Sequence, residues 1–280
     1  MKFLITFSLF SFFLLHFFTV ALPAPDNVQK KPQKQKLTSS VRHATKDEIR
    51  ELEFYTSLSA DVYCSDVMKR KRLDCPHCDL AIAHGLTIID TIISDDYDTN
   101  VMVARSDIDK TIYIAFRGAY IHLGFKRAYQ IVQKQLTAII DSQLQIHPDY
   151  TVAVTGHSLG GALALLNALD LHERGIKNVE LITFGQPRVG NKQFAEYVVS
   201  TGIPYKRAVH ARDTVPHVPD NASPLYKFYH AGEEFWDDNE LFVVCPNGIE
   251  SNKCSSSLGV GASPLDHMRY FGITTGICIP

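Results

Sequence analysis

The chain has 280 residues, of which 45% are hydrophobic and 21% charged, a composition typical of a globular protein. This length is enough for a sizeable core in one or two domains. The formal net charge of −2 argues against nucleic acid as a partner, because nucleic-acid-binding surfaces are strongly basic.

The first twenty residues form an apolar run, rich in Phe and Leu, behind a single Lys2. This pattern predicts a secretory signal peptide over residues 1–21, cleaved after Ala21 or, alternatively, Ala24. The run is also long enough to span a bilayer marginally, so a membrane anchor is the alternative. Prolines follow at once, which favours cleavage over stable membrane insertion.

Within residues 22–40, the stretch Asp26–Ser40 contains Lys, Gln and Pro and almost nothing apolar. Such a segment cannot bury enough apolar surface to fold, so we expect a disordered linker or a short propeptide. The folded domain should therefore begin near Val41 and occupy residues 41–280.

The first predicted element of the domain is a helix. Thr45 and Glu48 have the spacing of a capping box, and apolar residues follow at helical spacing to about Cys64. Three strands come next, and a polar turn between the last two predicts a hairpin. These strands cover Thr87–Ile93, Val101–Ala104 and Thr111–Phe116. A long helix is then predicted over Phe125–Gln145.

The next stretch places a serine in a tight turn between a strand and a helix. Thr151–Thr155 is a short β-branched run typical of a buried strand, and Leu159–Glu173 is rich in Ala and Leu, as in a buried helix. Between them the chain spells G-x-S-x-G, as Gly156-His157-Ser158-Leu159-Gly160. In this context the pattern predicts a nucleophile elbow, which lifts the Ser158 hydroxyl above the strand end.

Strands and helices continue to alternate before a loop-rich end. Val179–Phe184 and Pro204–Val209 predict strands, with a helix between them over Lys192–Ser200. A further hairpin is expected around Lys227–Glu234. The alternation predicts an α/β fold, with a mostly parallel central sheet covered by helices on both faces.

Six cysteines follow the predicted signal peptide: Cys64, Cys75, Cys78, Cys245, Cys254 and Cys278. An even number in a secreted chain predicts three disulfides, for which sequence alone permits fifteen pairings. Cys75-Pro76-His77-Cys78 also has the spacing of a redox pair or of half a zinc site. The motif lies in a polar loop rather than a thioredoxin-like unit, and no second pair has zinc-site spacing. Structural disulfides are therefore the favoured interpretation.

A serine hydroxyl is a weak nucleophile unless a base takes its proton and a carboxylate orients that base. In this fold class the acid and then the histidine follow the serine along the chain. Asp213 is the best acid candidate, because it follows a predicted strand at the edge where such sheets hold their chemistry. Asp266 and Asp220 remain rival acids. The candidate bases are the histidines after Ser158: His172, His210, His217, His230 and His267.

The tetrahedral intermediate of acyl transfer also needs hydrogen-bond donors for its oxyanion. One is the backbone N–H of Leu159, the residue after the nucleophile. The other should come from an early strand end, for which Phe116-Arg117-Gly118-Ala119 is the candidate.

Together these motifs resemble the fungal class 3 triacylglycerol lipases, and most of all those of mucoralean moulds. The match extends from about Val41 to the C-terminus. It rests on Tyr97-Asp98-Thr99-Asn100, Phe116-Arg117-Gly118, Val154 to Gly161, Gly185 to Gly190, Arg212 to His217, His230 to Glu234, and Asp266-His267 before Tyr270-Phe271-Gly272.

The resemblance implies an α/β-hydrolase fold with neither metal nor cofactor. It implies that Ser158, Asp213 and His267 form a catalytic triad. It also implies the disulfide pairs Cys64–Cys278, Cys75–Cys78 and Cys245–Cys254.

The chain departs from the family pattern after the Phe-Arg-Gly strand. There the family has a Ser or Thr that serves the oxyanion hole, followed by an amphipathic lid helix. Here Ala119-Tyr120-Ile121 leads almost directly into His122-Leu123-Gly124-Phe125, which resembles the family's entry to the next long helix. The lid segment is therefore missing, and the Ala119 amide is left as the second oxyanion donor.

The sequence thus predicts a secreted, extracellular triacylglycerol lipase, a monomeric serine hydrolase that cleaves acylglycerol esters at an oil–water interface. One alternative is an esterase for small or feruloyl-type esters, because an open site does not select long acyl chains. Another is a catalytically impaired protein of the lipase fold, because the lid and the oxyanion Ser or Thr are missing.

Overall fold

The computed structural model of the chain describes residues 40–94, 99–118, 124–219, 227–239, 241–246, 248–258 and 263–278. All of them belong to one compact unit, Gln33–Pro280. The predicted signal peptide and most of the predicted linker lie outside the described residues.

A large sheet forms the centre of this unit. Its strands are β1 Arg42–His43, β2 Leu86–Ile93, β3 Asn100–Ser106, β4 Thr111–Phe116, β5 Thr151–His157, β6 Val179–Phe184, β7 Tyr205–His210, β8 Glu233–Asp237 and β9 Phe242–Cys245. The strand order is β1-β9-β8-β7-β6-β5-β4-β3-β2. Strands β4 to β8 are parallel, and the strands at the two edges are antiparallel to their neighbours.

Helices cover both faces of the sheet. In the described part of the chain they are α1 Lys46–Asp61, α2 Ser65–Arg70, α3 Asp79–Ala83, α4 Phe125–Ile146, α5 Leu159–Glu173, α6 Lys192–Thr201 and α7 Pro264–His267. A small second sheet pairs β10 Arg269–Tyr270 with β11 Ile273–Thr274. The predicted α/β architecture is confirmed.

Alternate residues of the strands supply two separate cores. In β3, Val101 and Val103 pack with helices α4, α5 and α6, whereas Met102 and Ala104 pack with α1 on the opposite face. Successive side chains of a strand point to opposite faces, so a strand covered on both sides must be apolar throughout. This explains why apolar residues follow one another without alternation over Ile112–Phe116 in β4 and Val152–Val154 in β5.

Most predicted elements are confirmed within a few residues. Thr45 caps α1 with the predicted capping box: its side chain accepts from the Glu48 N–H, and the Glu48 carboxylate accepts from the Thr45 N–H. The predicted hairpin is the antiparallel pair β3–β4. The strand–turn–helix around Ser158 is present as β5 and α5.

The hairpin predicted around Lys227–Glu234 is wrong. Residues 227–232 make only isolated bridges, from Tyr229 to Gly190 and from Ala231 to Ile249. The hairpin lies further on, in β8 and β9, and β8 also extends the parallel sheet beside β7. The sequence does not reveal β8, because Glu233–Asp237 is short and has charged residues at both ends. It forms a strand because β7 and β9 pair with it, not because of an apolar–polar alternation of its own.

Three disulfides join the six cysteines. The pairs are Cys64–Cys278, Cys75–Cys78 and Cys245–Cys254, the same pairs that the resemblance implies. The first connects residues 214 apart and ties the end of the chain to the residues that follow α1.

Candidate active site

Ser158 sits in a turn that few side chains can adopt. Its backbone has φ +59° and ψ −130°, in a region that non-glycine residues rarely occupy. The turn is tight enough that a Cβ on Gly160 would lie 2.2 Å from the carbonyl oxygen of Phe116, and one on Gly156 2.4 Å from the Gly160 backbone. The flanking glycines are therefore required by the close approach of β4, β5 and α5. The strained turn holds Ser158 at the carboxyl end of β5, where its side chain is only partly buried.

The structure brings Asp213 and His267 into direct contact. His267 Nδ1 lies 2.8 Å from Asp213 Oδ2 and 3.0 Å from Oδ1. This geometry places the proton on Nδ1, which donates to the carboxylate, and leaves Nε2 as the acceptor. Asp213 is fully buried, whereas the side chain of His267 is 14% exposed.

Two further donors hold the Asp213 carboxylate in place. The Val215 N–H donates to Oδ1 over 2.8 Å, and the Tyr270 hydroxyl donates to Oδ2 over 2.5 Å. Burial, with the neighbouring Asp213 charge, raises the pKa of Tyr270 well above its ordinary value, so this tyrosine keeps its proton. A buried carboxylate is tolerated only when it is hydrogen-bonded, and here each oxygen has partners.

Ser158 and His267 line the same pocket. Tyr63, Gly118, His157, Met268 and Gly276 complete the lining among the described residues. No hydrogen bond joins the Ser158 and His267 side chains in this part of the chain. Catalytic hydrogen bonds often form only when substrate binds, so the shared pocket is compatible with proton transfer in the complex.

A chain of hydrogen bonds along the pocket lining connects Gly118, after strand β4, to His267. The Gly118 N–H donates to the Tyr63 hydroxyl over 2.9 Å, and that hydroxyl lies 3.3 Å from His157 Nδ1. His157 Nε2 lies 2.8 Å from the His267 carbonyl oxygen. Burial, and secondarily the neighbouring His267, lowers the pKa of His157 well below its ordinary value. A neutral His157 with its proton on Nε2 satisfies the whole chain.

Of the two candidate oxyanion donors, the structure describes Leu159 but not Ala119. Leu159 is the first residue of α5, and N–H groups in the first turn of a helix have no intrahelical acceptor. This leaves its N–H available at the strand end beside Ser158. Ala119 belongs to the residues that are not described.

The other candidate residues have different partners. His210 contacts Asp237, at 2.8 Å, and His230 contacts the Pro216 carbonyl, at 2.7 Å. Among the rival acids, Asp266 accepts from the Arg212 N–H at 3.0 Å, and Asp220 lies outside the described residues. The remaining candidates, His172 and His217, are not among the described lining of the Ser158 pocket.

Tyr63 has no predicted role in the sequence, Tyr270 belongs only to a family motif, and His157 is only the variable position of G-x-S-x-G. No local pattern marks these side chains, and only the fold shows where the two hydroxyls and the imidazole point.

One group of potential metal ligands lies outside the pocket. Asp61, Cys75 and Cys78 place a carboxylate oxygen and two sulfurs within 4.8 Å of one another. Cysteine binds metals as a thiolate, whereas these two sulfurs are joined in a disulfide.

Known proteins match most of the chain. The family model described as lipase (class 3) matches residues 93–222. A lipase from Rhizomucor miehei is 46% identical over 284 residues, which is 91% of this chain and 76% of that lipase. A protein of Fusarium solani named secreted mono- and diacylglycerol lipase 1 is 26% identical over 263 residues, 81% of this chain and 77% of that protein.

A solved structure matches the fold with a TM-score of 0.79 and 46% identity, over 86% of this chain and 100% of that one. It is described as a triacylglycerol lipase whose catalytic centre is formed by a serine protease triad. Fold and elbow together define an α/β-hydrolase. Within that class the chain belongs to the class 3 lipase family, which confirms the resemblance found in the sequence.

Proposed function

We propose that this chain is a secreted lipase that hydrolyses acylglycerol esters, with Ser158 as nucleophile, His267 as base and Asp213 as orienting acid. The observation that carries the proposal is the Asp213–His267 contact beside a serine held in a strained elbow. Membership of a lipase family makes an ester-hydrolysing enzyme the expected class.

The geometry suggests the following sequence of steps. Ser158 Oγ attacks the ester carbonyl while His267 Nε2 takes the hydroxyl proton, and Asp213 stabilises the imidazolium that forms. The oxyanion accepts hydrogen bonds from the Leu159 and Ala119 N–H groups. His267 then returns the proton to the leaving alcohol, and water attacks the acyl-enzyme by the same route in reverse.

Secretion is part of the proposal. A distant relative is named as secreted. Among the described residues, which begin at residue 40, no helix is long and apolar enough to cross a bilayer. We propose cleavage of residues 1–21, a linker or propeptide over residues 22–40, and a monomeric catalytic domain over residues 41–280. N-terminal sequencing of the protein from culture medium tests these boundaries.

The second candidate function is an esterase for small or aromatic esters. One observation favours it: the Rhizomucor miehei alignment is 284 residues long, longer than this whole chain, so that lipase carries residues without a counterpart here. A chain that lacks a lid has less apolar surface with which to hold long acyl groups.

Nitrophenyl esters of graded chain length separate these functions. Wild type and Ser158→Ala are assayed on the butyrate, the palmitate and a feruloyl ester. The Ser158→Ala variant should lose about four to six decades of turnover on each ester that the wild type cleaves. Higher kcat/KM on long chains supports the lipase, and a preference for the feruloyl or butyrate ester supports the esterase. Equal background rates for both proteins would refute an enzymatic role.

A further inference from the structure

Asp61, the last residue of α1, is a buried carboxyl group with an unusual partner. Its side chain is 0% exposed, and Oδ1 lies 3.2 Å from Cys75 Sγ. The other oxygen, Oδ2, has no hydrogen-bond partner within the described chain. A buried polar group without a partner is costly to the fold and is often explained by a functional role.

If the contact with sulfur is a hydrogen bond, its proton belongs to Asp61. Cys75 is bonded to Cys78 and carries no hydrogen, so only the carboxyl group can donate. Burial raises the pKa of Asp61 to about 8, and no charged side chain contributes to that shift. Cys64, three residues after Asp61, is also disulfide-bonded, so it carries no thiol that could titrate. Burial lowers the pKa of His77, inside the motif, so it adds no charge at neutral pH.

The two sulfurs of this disulfide are unequally accessible. Cys75 is partly exposed, whereas Cys78 is 1% exposed. Cys75 is therefore the more accessible target for a thiolate from outside, and attack there makes Cys78 the leaving group. The bond joins residues three positions apart, so opening it releases little chain. By contrast, both cysteines of Cys245–Cys254 are buried.

We propose that Cys75–Cys78 is a thiol–disulfide exchange site for dithiol reductants, and that Asp61 is the acid that protonates its leaving thiolate. This site is separate from the proposed ester chemistry. It needs no residue of the Ser158 pocket, so either proposal can fail without the other.

The exchange balances as follows. One thiolate of the dithiol attacks Cys75 Sγ, the Cys75–Cys78 bond breaks, and its electron pair leaves on Cys78 Sγ. Asp61 lies within 4.8 Å of that sulfur, which approaches to hydrogen-bond distance as the S–S bond opens and takes the proton from Asp61. The second thiol of the dithiol returns a proton to Asp61 and attacks the mixed disulfide, which expels Cys75 as a thiolate. Cys75 takes a proton from water. The dithiol is oxidised to a cyclic disulfide, and the protein gains two thiols.

The test follows reduction of the folded full-length protein by dithiothreitol from pH 6 to 9. Thiols are trapped by alkylation, and peptide mapping gives separate rates for Cys75–Cys78 and Cys245–Cys254 in the same molecules. We expect Cys75–Cys78 to open at least about tenfold faster than the buried pair, since exchange depends on access to the sulfur. If the two pairs open at equal rates, the exchange site is refuted.

The role of Asp61 is tested by Asp61→Asn, with Asp47→Asn as the matched control. Asp47 lies in the first turn of the same helix, and its side chain is 92% exposed. At pH 6, Asp61→Asn should slow opening at least about tenfold, a conservative share of what a positioned proton donor supplies. The difference should shrink as pH rises through 8, because wild-type Asp61 then loses its proton. A pH-independent difference, or an equal effect of Asp47→Asn, would refute the role.

If Asp61→Asn does not fold, the wild type still decides the question. The ratio of the opening rate of Cys75–Cys78 to that of Cys245–Cys254 does not depend on how much of the reductant is ionised, because both rates scale with the same thiolate concentration. It should fall between pH 7 and 9 if Asp61 supplies the proton. A constant ratio would rule this out.

Discussion

His267 is held by contacts to its ring and to its backbone carbonyl. The sequence motifs indicate only the contact to the ring. Its ring is fixed by Asp213, which motif order makes a candidate partner. Its backbone carbonyl accepts from His157 Nε2 and lies 3.3 Å from the Thr275 hydroxyl, contacts that depend on how the last strands pack. The chemistry of the candidate site was therefore predictable from motifs, but the groups that orient it were not.

Substituting the two candidate acids, Asp213 and Asp266, one at a time should show which of them orients His267. Asp213→Asn should lower kcat on nitrophenyl butyrate by roughly 10⁴, because the amide stabilises the wrong tautomer of the histidine. Asp266→Asn is the matched control, since its carboxylate accepts only a backbone N–H at the domain surface. A larger loss in Asp266→Asn than in Asp213→Asn would mean that the acid is wrongly assigned.

Asp61 should make stability depend on pH. Its folded pKa, about 8, lies above the ordinary value of an aspartate, so the folded chain keeps a proton that the unfolded chain loses. This contribution is fully present at acidic pH and is lost as pH rises from about 4 to about 8, by up to about 1.4 kcal/mol per unit. Asp61→Asn removes this titration.

The variant should therefore gain stability relative to wild type as pH rises from 5 to 8. Urea unfolding at pH 5, 7 and 8 with the disulfides intact measures the difference in the free energy of unfolding between Asp61→Asn and wild type. Asp47→Asn, exposed on the same helix, should show no such trend. A gap that stays constant over this range would contradict a protonated Asp61 in the fold.

Among the elements, long periodic segments were predicted well and short ones poorly. The helices α1, α4 and α5 and the strands β4 and β6 appear close to their predicted ranges, because each has its own apolar period or cap. The two-residue strand β1 and the short helices α2 and α3 were missed. Such elements form through contacts with distant parts of the chain, which no local pattern encodes.

The elbow makes a prediction about its two adjacent glycines. A Cβ on Gly160 would lie 2.2 Å from the Phe116 carbonyl oxygen, whereas one on Gly161 would lie 3.0 Å from the Gln186 Cβ and 3.1 Å from the Gly156 carbonyl oxygen. The overlap at Gly160 is with backbone and cannot be relieved without separating β4 from α5, whereas the contacts at Gly161 are relieved by shifts of a few tenths of an ångström. Gly160→Ala should therefore destabilise the fold by more than about 3 kcal/mol, beyond the usual cost of overpacking.

Gly161→Ala serves as its control, with the same added methyl group one residue later. Its loss should stay within about 1–3 kcal/mol. Thermal unfolding of the two variants beside wild type gives the comparison. Equal losses would show that the turn has room that its geometry does not suggest.

At the scale of the whole molecule, the Cys64–Cys278 disulfide closes nearly the entire folded chain. In the chain-entropy model its loop of 214 residues should contribute about 5 kcal/mol, against about 3 kcal/mol for the nine-residue separation of Cys245–Cys254. Replacing both cysteines of each pair by serine and measuring urea unfolding tests the order. The same loss in both double variants would show that loop length does not decide their contribution.

The response to an oil surface is also a property of the whole molecule. Interfacial activation requires a segment that covers the site in water and finds an apolar partner at the surface, which shifts its population to the open state. Between Gly118 and Gly124 the chain has five residues, and an isolated helix needs more than about a dozen to be even marginally stable in water. We therefore expect no activation, and a site that is open in dissolved substrate.

A second segment that could act as a lid is Ser251 to Pro264. Its first half is held to the rest of the domain by a disulfide and two hydrogen bonds. Cys254 is disulfide-bonded to Cys245 at the end of β9, and the Ser255 N–H and hydroxyl both donate to the buried Glu234 carboxylate, at 3.0 and 2.5 Å. Moving this segment outward would strain against the disulfide, break both hydrogen bonds to Glu234 and leave that buried carboxylate with fewer partners. The rate on tributyrin should therefore rise smoothly to saturation as its concentration passes the solubility limit. A sharp increase at that limit would mean that a segment of this chain does act as a lid, and Ser255→Ala, which loosens that attachment, should then move the onset.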